Sequence, residues 1–164
     1  MGERRHPAES LPDEAMRPIG HAETLLMEDL APEYATMHQN SGDLPNECIF
    51  MMANTFMCDL WSGTHVIPSY DRKLAGADHG PVYAFHRKVL QTLQQRNAAG
   101  CTRWGLKAPS HLARLEELFS VYPRARILRI HRDPLRSLPS TLSLMGTLKH
   151  MRCREVDLSE AAVQ

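Results

Sequence analysis

The chain has 164 residues, which allows one domain or a piece of a larger one and leaves too little length for two full domains. Hydrophobic residues make up 43% and charged residues 23%, a composition that supplies a buried core and excludes wholesale disorder. The formal net charge is zero, but residues 101–154 carry 11 Lys and Arg against 3 Asp and Glu, whereas residues 1–100 carry 8 against 13. This uneven distribution predicts an anionic ligand in the second half, with nucleic acid as the alternative.

The sequence contains no signal for export, membrane insertion or metal binding. Its uncharged stretches are far shorter than the roughly 20 residues that a membrane-spanning helix needs. Glu3, Arg4 and Arg5 stand where a secretory signal needs an apolar run. The four cysteines form no C-x-x-C pair, and the nine histidines form no H-E-x-x-H motif. We therefore expect a cytoplasmic protein with reduced thiols, no metal site and no membrane partner.

Helical patterns dominate the first half of the chain. The first 20 residues contain Pro7, Pro12 and Pro18 without a sustained apolar period, and they predict a poorly ordered lead-in. Apolar residues then recur every three or four positions, as on one face of a helix. The predicted helices are residues 21–30, 32–39, 45–61 and 81–96, the last preceded by Asp78 as a candidate N-cap.

The spacing of the apolar residues changes after Gly100. Short apolar runs at residues 104–107 and 126–130 predict strands, and residues 109–121 predict a helix between them. A further helix is predicted from Asp133 towards Lys149. A strand, helix, strand, helix order almost always forms parallel strands joined by a right-handed crossover. The sequence therefore predicts an α/β architecture, with a parallel sheet in the second half and a mainly helical first half.

The two predicted strands place cations where a parallel sheet binds ligands. Lys107 ends the first strand and Arg132 follows the second by two residues, so both would lie at the carboxyl edge of the sheet. Asp133 and Pro134 suit the cap and first turn of the next helix, whose N-terminus favours anions. Ser140 lies six residues after Pro134 on that helix. The pattern predicts that Lys107, Arg132 and Ser140 surround one anion.

Each of these residues also has a simpler structural interpretation. A lone arginine at a strand end is ordinarily a solvated cation, and a serine within a helix often donates back to a main-chain carbonyl. Lys107 can extend into solvent or pair with Glu116.

Three segments of the second half resemble a known family. They are W-G-L-K-A-P-S-H-L at residues 104–112, Y-P-R-A-R-I at residues 122–127, and H-R-D-P at residues 131–134 with Ser140 eight residues after the arginine. Together they resemble the sulfotransferase family of bacterial type that uses 3′-phosphoadenosine 5′-phosphosulfate (PAPS). The resemblance implies a partial P-loop-type three-layer fold over residues 21–157, followed by a tail at residues 158–164.

The resemblance also implies roles for individual residues. Arg132 and Ser140 match the pair that binds the 3′-phosphate of PAPS, and Lys107 matches a lysine near the sulfuryl group. A general base is implied either at Glu3, as the remnant of a Trp-Glu element, or at His38. The acceptor is then a hydroxyl or amine of a small molecule or glycan.

One family element has no counterpart in this sequence. The family carries a P-R-S-G-T-T-type loop that binds the 5′-phosphosulfate through backbone amides, and nothing similar precedes residue 20. The Ser-Gly-Thr at residues 62–64 follows a predicted helix and lacks the strand-loop-helix setting. We therefore expect a domain shortened at both ends, marginally stable and prone to form homo-oligomers.

Two classes of function follow from these observations. The first is a PAPS-dependent sulfotransferase, and the second is a non-catalytic relative that binds a nucleotide or polyanion. Nucleic-acid binding is disfavoured because the family pattern already accounts for most of the cations in residues 101–154.

Overall fold

The computed structural model describes residues 13–42, 44–96 and 103–157, which form two compact units. Residues 1–46 belong to the first unit and residues 47–164 to the second. The predicted lead-in at residues 1–12 and the predicted tail at residues 158–164 lie outside the described residues. The rest of the predicted lead-in is helical, because the first helix begins at Asp13.

The first unit contains helix α1, Asp13–Leu30, and the short helix α2, Tyr34–Met37. Both predicted helices of this region are therefore present, the first longer and the second shorter than expected. Ala31, directly after α1, and Tyr34, at the start of α2, are buried. Gly42 lies so close to α1 that a Cβ atom there would be 2.7 Å from the main-chain nitrogen of His21. Any larger residue at position 42 would force the backbone to move.

The second unit is built from six α-helices and one 3₁₀ turn in its described part. They are α3 Cys48–Ala53, α4 Asp59–Thr64, α5 Pro68–Ala75, α6 Gly80–Arg96, the 3₁₀ turn Pro109–Ala113, α7 Leu115–Val121 and α8 Pro134–His150. Helix α6 packs against α3 and α7, while α4 packs against α8. The core consists of Met52, Ala53, Cys58, Val82, Tyr83 and Leu118. Burial of these side chains holds the short helices together, because helices of one or two turns are not stable alone.

The helix predicted over residues 45–61 is two helices, α3 and α4. The chain leaves α3 at Asn54, and the Thr55 hydroxyl donates to the carbonyl of Met52 at 2.7 Å and accepts the N–H of Met57 at 3.2 Å. Such local side-chain bonds compete with helical hydrogen bonds. Phe56 follows with a φ of 53°, a conformation that interrupts a right-handed helix.

The predicted α/β architecture is wrong, because the described residues form helices and no strands. Residues 104–107 and 126–130, predicted as strands, have an irregular backbone. A strand needs neighbouring strands to pair its main-chain groups and cover its side chains, and the described residues supply no such neighbours. Leu128 and Ile130 remain 90% and 77% exposed as a result. The partial P-loop-type three-layer fold with a parallel sheet is therefore absent from this part of the chain.

The caps predicted for two helices are confirmed. An oxygen of Asp78 accepts the N–H of Gly80 at 2.8 Å where α6 begins. The Asp133 carboxylate accepts the N–H of Leu135 at 3.0 Å, and Pro134 occupies the first position of α8. Helix α8 then continues through Pro139 to His150. These local signals therefore placed the start of both long helices of the second unit correctly.

No helix within the described ranges has both the length and the apolar character that a membrane span requires.

Candidate functional site

The first candidate site is a depression along the N-terminal half of α8. It has a volume of about 600 Å³ and is lined by Arg132, Asp133, Arg136, Ser137, Ser140 and Thr141. Residues three or four apart lie on the same face of a helix, so the spacing of positions 133, 136, 137, 140 and 141 assembles this lining. Arg132 joins it from the preceding irregular segment. The predicted start of this helix, together with the helical period, was therefore enough to predict that Arg132 and Ser140 lie close together.

The depression has a positive electrostatic character. Arg132 and Arg136 are exposed, and neither forms an ion pair with the acidic side chains of the described residues. Asp133 is the acidic member, and it caps the helix. The N-terminus of a helix carries a partial positive charge that adds to the field of the two guanidinium groups. The arrangement favours an anion.

The hydroxyl groups in the depression differ in their hydrogen bonding. Ser137 donates to the carbonyl of Pro134 at 3.4 Å, and Thr141 donates to the carbonyl of Ser137 at 3.0 Å. The Ser140 hydroxyl makes no hydrogen bond to the part of the chain that is described. It is exposed, and its donor therefore remains available to a ligand.

Lys107 does not line this depression. Its side chain is 68% exposed, and its ammonium group pairs with the carboxylate of Glu47 rather than with Glu116. Its carbonyl oxygen accepts the N–H of Cys48 at 2.8 Å, which joins the irregular segment to the start of α3. The prediction that Lys107 and Arg132 lie at the same edge of a sheet is wrong, because the described residues contain no sheet.

The two candidate bases belong to different parts of the chain. Glu3 lies outside the described residues. His38 follows α2 in the first unit, where its ring stacks on Tyr34 with the centroids 5.8 Å apart. The Ser-Gly-Thr sequence that was rejected as a phosphate loop lies within α4, where the Thr64 hydroxyl donates to the carbonyl of Leu60 at 2.7 Å.

A second cavity lies in the second unit, and no motif in the sequence had indicated it. This cavity, of about 490 Å³, lies along α6, α7 and the two irregular segments. Four of its residues form a cluster of rings that we call the His-Tyr cluster, namely Tyr83, His86, His111 and Tyr122. On α6, Tyr83 and His86 are buried, whereas Phe85 is 36% exposed. The spacing of these residues could have indicated the cavity, since positions 83, 86 and 90 lie on one face of a helix.

Burial changes the acid–base properties of the His-Tyr cluster. It lowers the pKa of His86 to about 4, with a smaller contribution from His111, and it lowers the pKa of His111 as well. It also raises the pKa of Tyr83 and of Tyr122 to about 12. At neutral pH all four rings are therefore uncharged. Within the described ranges, no three His, Cys, Asp or Glu side chains are grouped so that they could hold a metal ion.

A sequence model described as the Sulfotransferase family matches residues 3–163. No curated protein and no solved structure matches the chain significantly. The family match spans nearly the whole sequence, including the segments at residues 104–112 and 131–134 that carry the resemblance. The chain therefore belongs to the sulfotransferase family, a family of transferases.

Proposed function

We propose that this protein binds PAPS and transfers its sulfuryl group to a hydroxyl or amine of a small molecule or glycan. The observation that carries the proposal is the common position of Arg132 and Ser140 in the depression on α8. Membership of the sulfotransferase family supports the class of reaction. The donor, the acceptor and the site residues are our inference.

The depression has the chemistry that the 3′-phosphate of PAPS requires. A guanidinium group can donate two parallel hydrogen bonds to a phosphate, and Arg132 has no competing ion pair within the described residues. Ser140 supplies a hydroxyl donor on the same face of α8. Arg136 and the helix N-terminus add positive potential. An anion bound here would meet two cations and at least one unused donor.

Transfer needs a cation and a base in addition to the phosphate site. In the proposed step the acceptor oxygen or nitrogen attacks sulfur while the bond from sulfur to the bridging oxygen breaks. Adenosine 3′,5′-bisphosphate leaves, and the base takes the acceptor proton. Lys107 is our candidate for neutralising charge on the leaving oxygen, and Glu3 or His38 is our candidate base. For Lys107 to act, its ammonium group must turn from Glu47 towards the donor.

A second candidate function is nucleotide binding without transfer. It is favoured by one observation, that Lys107 pairs with Glu47 and does not line the depression. A protein that keeps the phosphate site and lacks a cation at the sulfuryl group would bind adenosine 3′,5′-bisphosphate and turn over slowly or not at all.

Calorimetry with two nucleotides tests the phosphate site. We expect Arg132→Ala and Ser140→Ala to weaken binding of adenosine 3′,5′-bisphosphate at least about tenfold, the loss of one charge-assisted hydrogen bond. Binding of adenosine 5′-phosphate should change little. Arg129→Ala is the matched control, because Arg129 is exposed on the same irregular segment and does not line the depression. Equal losses for both nucleotides would refute the assignment.

A transfer assay separates the two candidate functions. Purified protein is incubated with PAPS labelled in the sulfuryl group and with a mixed panel of alcohols, amines and glycans. Labelled product that is lost in Lys107→Ala supports the transferase. Tight binding of adenosine 3′,5′-bisphosphate with no labelled product from any acceptor supports the second candidate.

A further inference from the structure

Helix α1 presents a row of exposed apolar side chains, which we call the α1 stripe. It is formed by Met16, Ile19, Leu26 and Leu30, which are between 37% and 61% exposed. With the exposed Glu23 among them, these positions are spaced alternately three and four apart, so they lie along one face of the helix. Proteins rarely leave large apolar side chains aligned in water unless a partner covers them.

The second unit also exposes apolar side chains within a short stretch of sequence, residues 124–136, which we call the arginine segment. Leu128, Ile130 and Leu135 belong to it, and each of them is more than three-quarters exposed. The backbone is irregular at residues 126–130, and Leu135 lies in the first turn of α8. The arginine segment is therefore a second surface that favours an apolar partner.

The two surfaces carry opposite charge. Residues 13–30 contain five acidic residues and one arginine, a net charge of −4, whereas residues 124–136 contain five arginines and one aspartate, a net charge of +4. Opposite charges attract across an interface, and like charges that face each other are unfavourable. Two copies of the arginine segment would repel each other, and so would two copies of α1. The charges therefore favour contact between α1 and the arginine segment over contact of either surface with itself.

We propose that α1 of one copy of the protein binds the arginine segment of a second copy. The α1 stripe packs on Leu128 and Ile130, and Glu23 lies near the arginines of the second copy. Every copy carries both surfaces, so the contact joins two unlike surfaces and either closes into a reciprocal dimer or continues along a row of copies. The proposal goes beyond the proposed sulfotransferase activity and depends on none of its assignments.

Sedimentation velocity of the unmodified protein at two salt concentrations tests the charge argument. Nucleotide is omitted, because Arg132 and Arg136 of the arginine segment also line the depression on α8. Raising the salt from about 50 mM to about 500 mM screens the attraction, and we expect the association constant to fall at least about threefold. A protein that is monomeric at every concentration would overturn the proposal, and so would association that salt leaves unchanged or strengthens.

Two complementary double variants identify the surfaces that meet. Leu26→Lys with Leu30→Lys disrupts the α1 stripe and keeps the arginine segment, whereas Leu128→Lys with Ile130→Lys does the reverse. We expect each double variant alone to associate at least about tenfold more weakly than the unmodified protein, because apolar contacts are lost. An equimolar mixture of the two should form a heterodimer, since the mixture retains one intact copy of each surface.

Leu25→Lys is the matched control for α1. Leu25 is 46% exposed and lies outside the α1 stripe, so its substitution should leave association unchanged. Circular dichroism establishes that each variant is folded, and if one is not, the salt dependence of the unmodified protein decides the matter. A folded α1 double variant that associates like the unmodified protein would show that the arginine segment pairs with another surface and would refute the proposal. A mixture without heterodimer would also refute it.

Discussion

Lys107 forms an ion pair with Glu47, and the two side chains differ greatly in exposure, 68% for the lysine and 13% for the glutamate. The pair joins two residues that are 60 positions apart in the sequence. The lysine head lies largely in water, where its charge is well solvated, whereas the glutamate carboxylate is mostly removed from water. The two members of the pair are therefore not equivalent in their effect on stability.

The first prediction is that removing Lys107 destabilises the fold more than removing the charge of Glu47. Lys107→Met leaves a largely buried carboxylate without this partner, and we expect a loss of about 1–2 kcal/mol. Glu47→Gln leaves an exposed ammonium group that water solvates, and we expect a loss below about 1 kcal/mol. Urea unfolding of both single variants and the double variant measures these differences. A larger loss for Glu47→Gln would contradict the prediction.

The second prediction concerns acid stability. His86 has a pKa of about 4 in the folded protein and about 6.5 when unfolded. Between these values the unfolded chain binds a proton that the folded chain does not, so stability falls as the pH decreases from about 6.5 to about 4. Below about pH 4 this contribution no longer changes. We expect a loss of about 2–3 kcal/mol from this residue.

Urea unfolding at pH 7.5 and at pH 4.5 measures that loss. His86→Phe removes the titrating group, so its stability should depend less on pH than that of the unmodified protein. His150→Phe is the control, because His150 is exposed at the end of α8. An unchanged pH dependence in His86→Phe would show that other groups cause the loss of stability at low pH.

The third prediction concerns the cap of α8. The Asp133 carboxylate accepts the N–H of Leu135 and lies at the positive end of the helix. We expect Asp133→Ala to cost about 1 kcal/mol and Asp133→Asn to cost less, because asparagine can also cap. Thermal unfolding measures both variants. A cost for Asp133→Asn equal to that for Asp133→Ala would mean that the hydrogen bond at the cap contributes little.

The fourth prediction is self-association through the exposed segment before α8. Leu128 and Ile130 are 90% and 77% exposed, and Leu135 in the first turn of the helix is 85% exposed. Large apolar side chains that are exposed close together in the sequence favour association. We expect the protein to form oligomers at micromolar concentration and the double variant Leu128→Lys, Ile130→Lys to be mainly monomeric.

Sedimentation velocity over a concentration series measures this association. Arg129→Gln, between the two substituted positions, is the control and should associate like the unmodified protein. Oligomers that persist unchanged in the double lysine variant would show that another surface mediates contact.

Features that depend on neighbouring residues could be read from the sequence. Asp133 lies directly before α8 and Asp78 lies two residues before α6, and a cap acts within one helical turn. The common position of Arg132 and Ser140 in one depression could also be predicted, because it depends only on where α8 begins and on the period of a helix. The family resemblance rested on such short segments, and the match to the sulfotransferase family confirmed it.

Features that depend on distant residues were decided by the tertiary structure. Residues 126–130 have the apolar pattern of a strand, but a strand exists only with neighbours to pair with, and the described residues provide none. Tyr83 is hydrogen-bonded to His111, which lies 28 positions later in the sequence, and His86 is hydrogen-bonded to Tyr122, which lies 36 positions later. No local pattern contains these contacts. They form because α6 packs against α7, which also contacts the 3₁₀ turn that carries His111. That packing removes the rings from water and changes their pKa values.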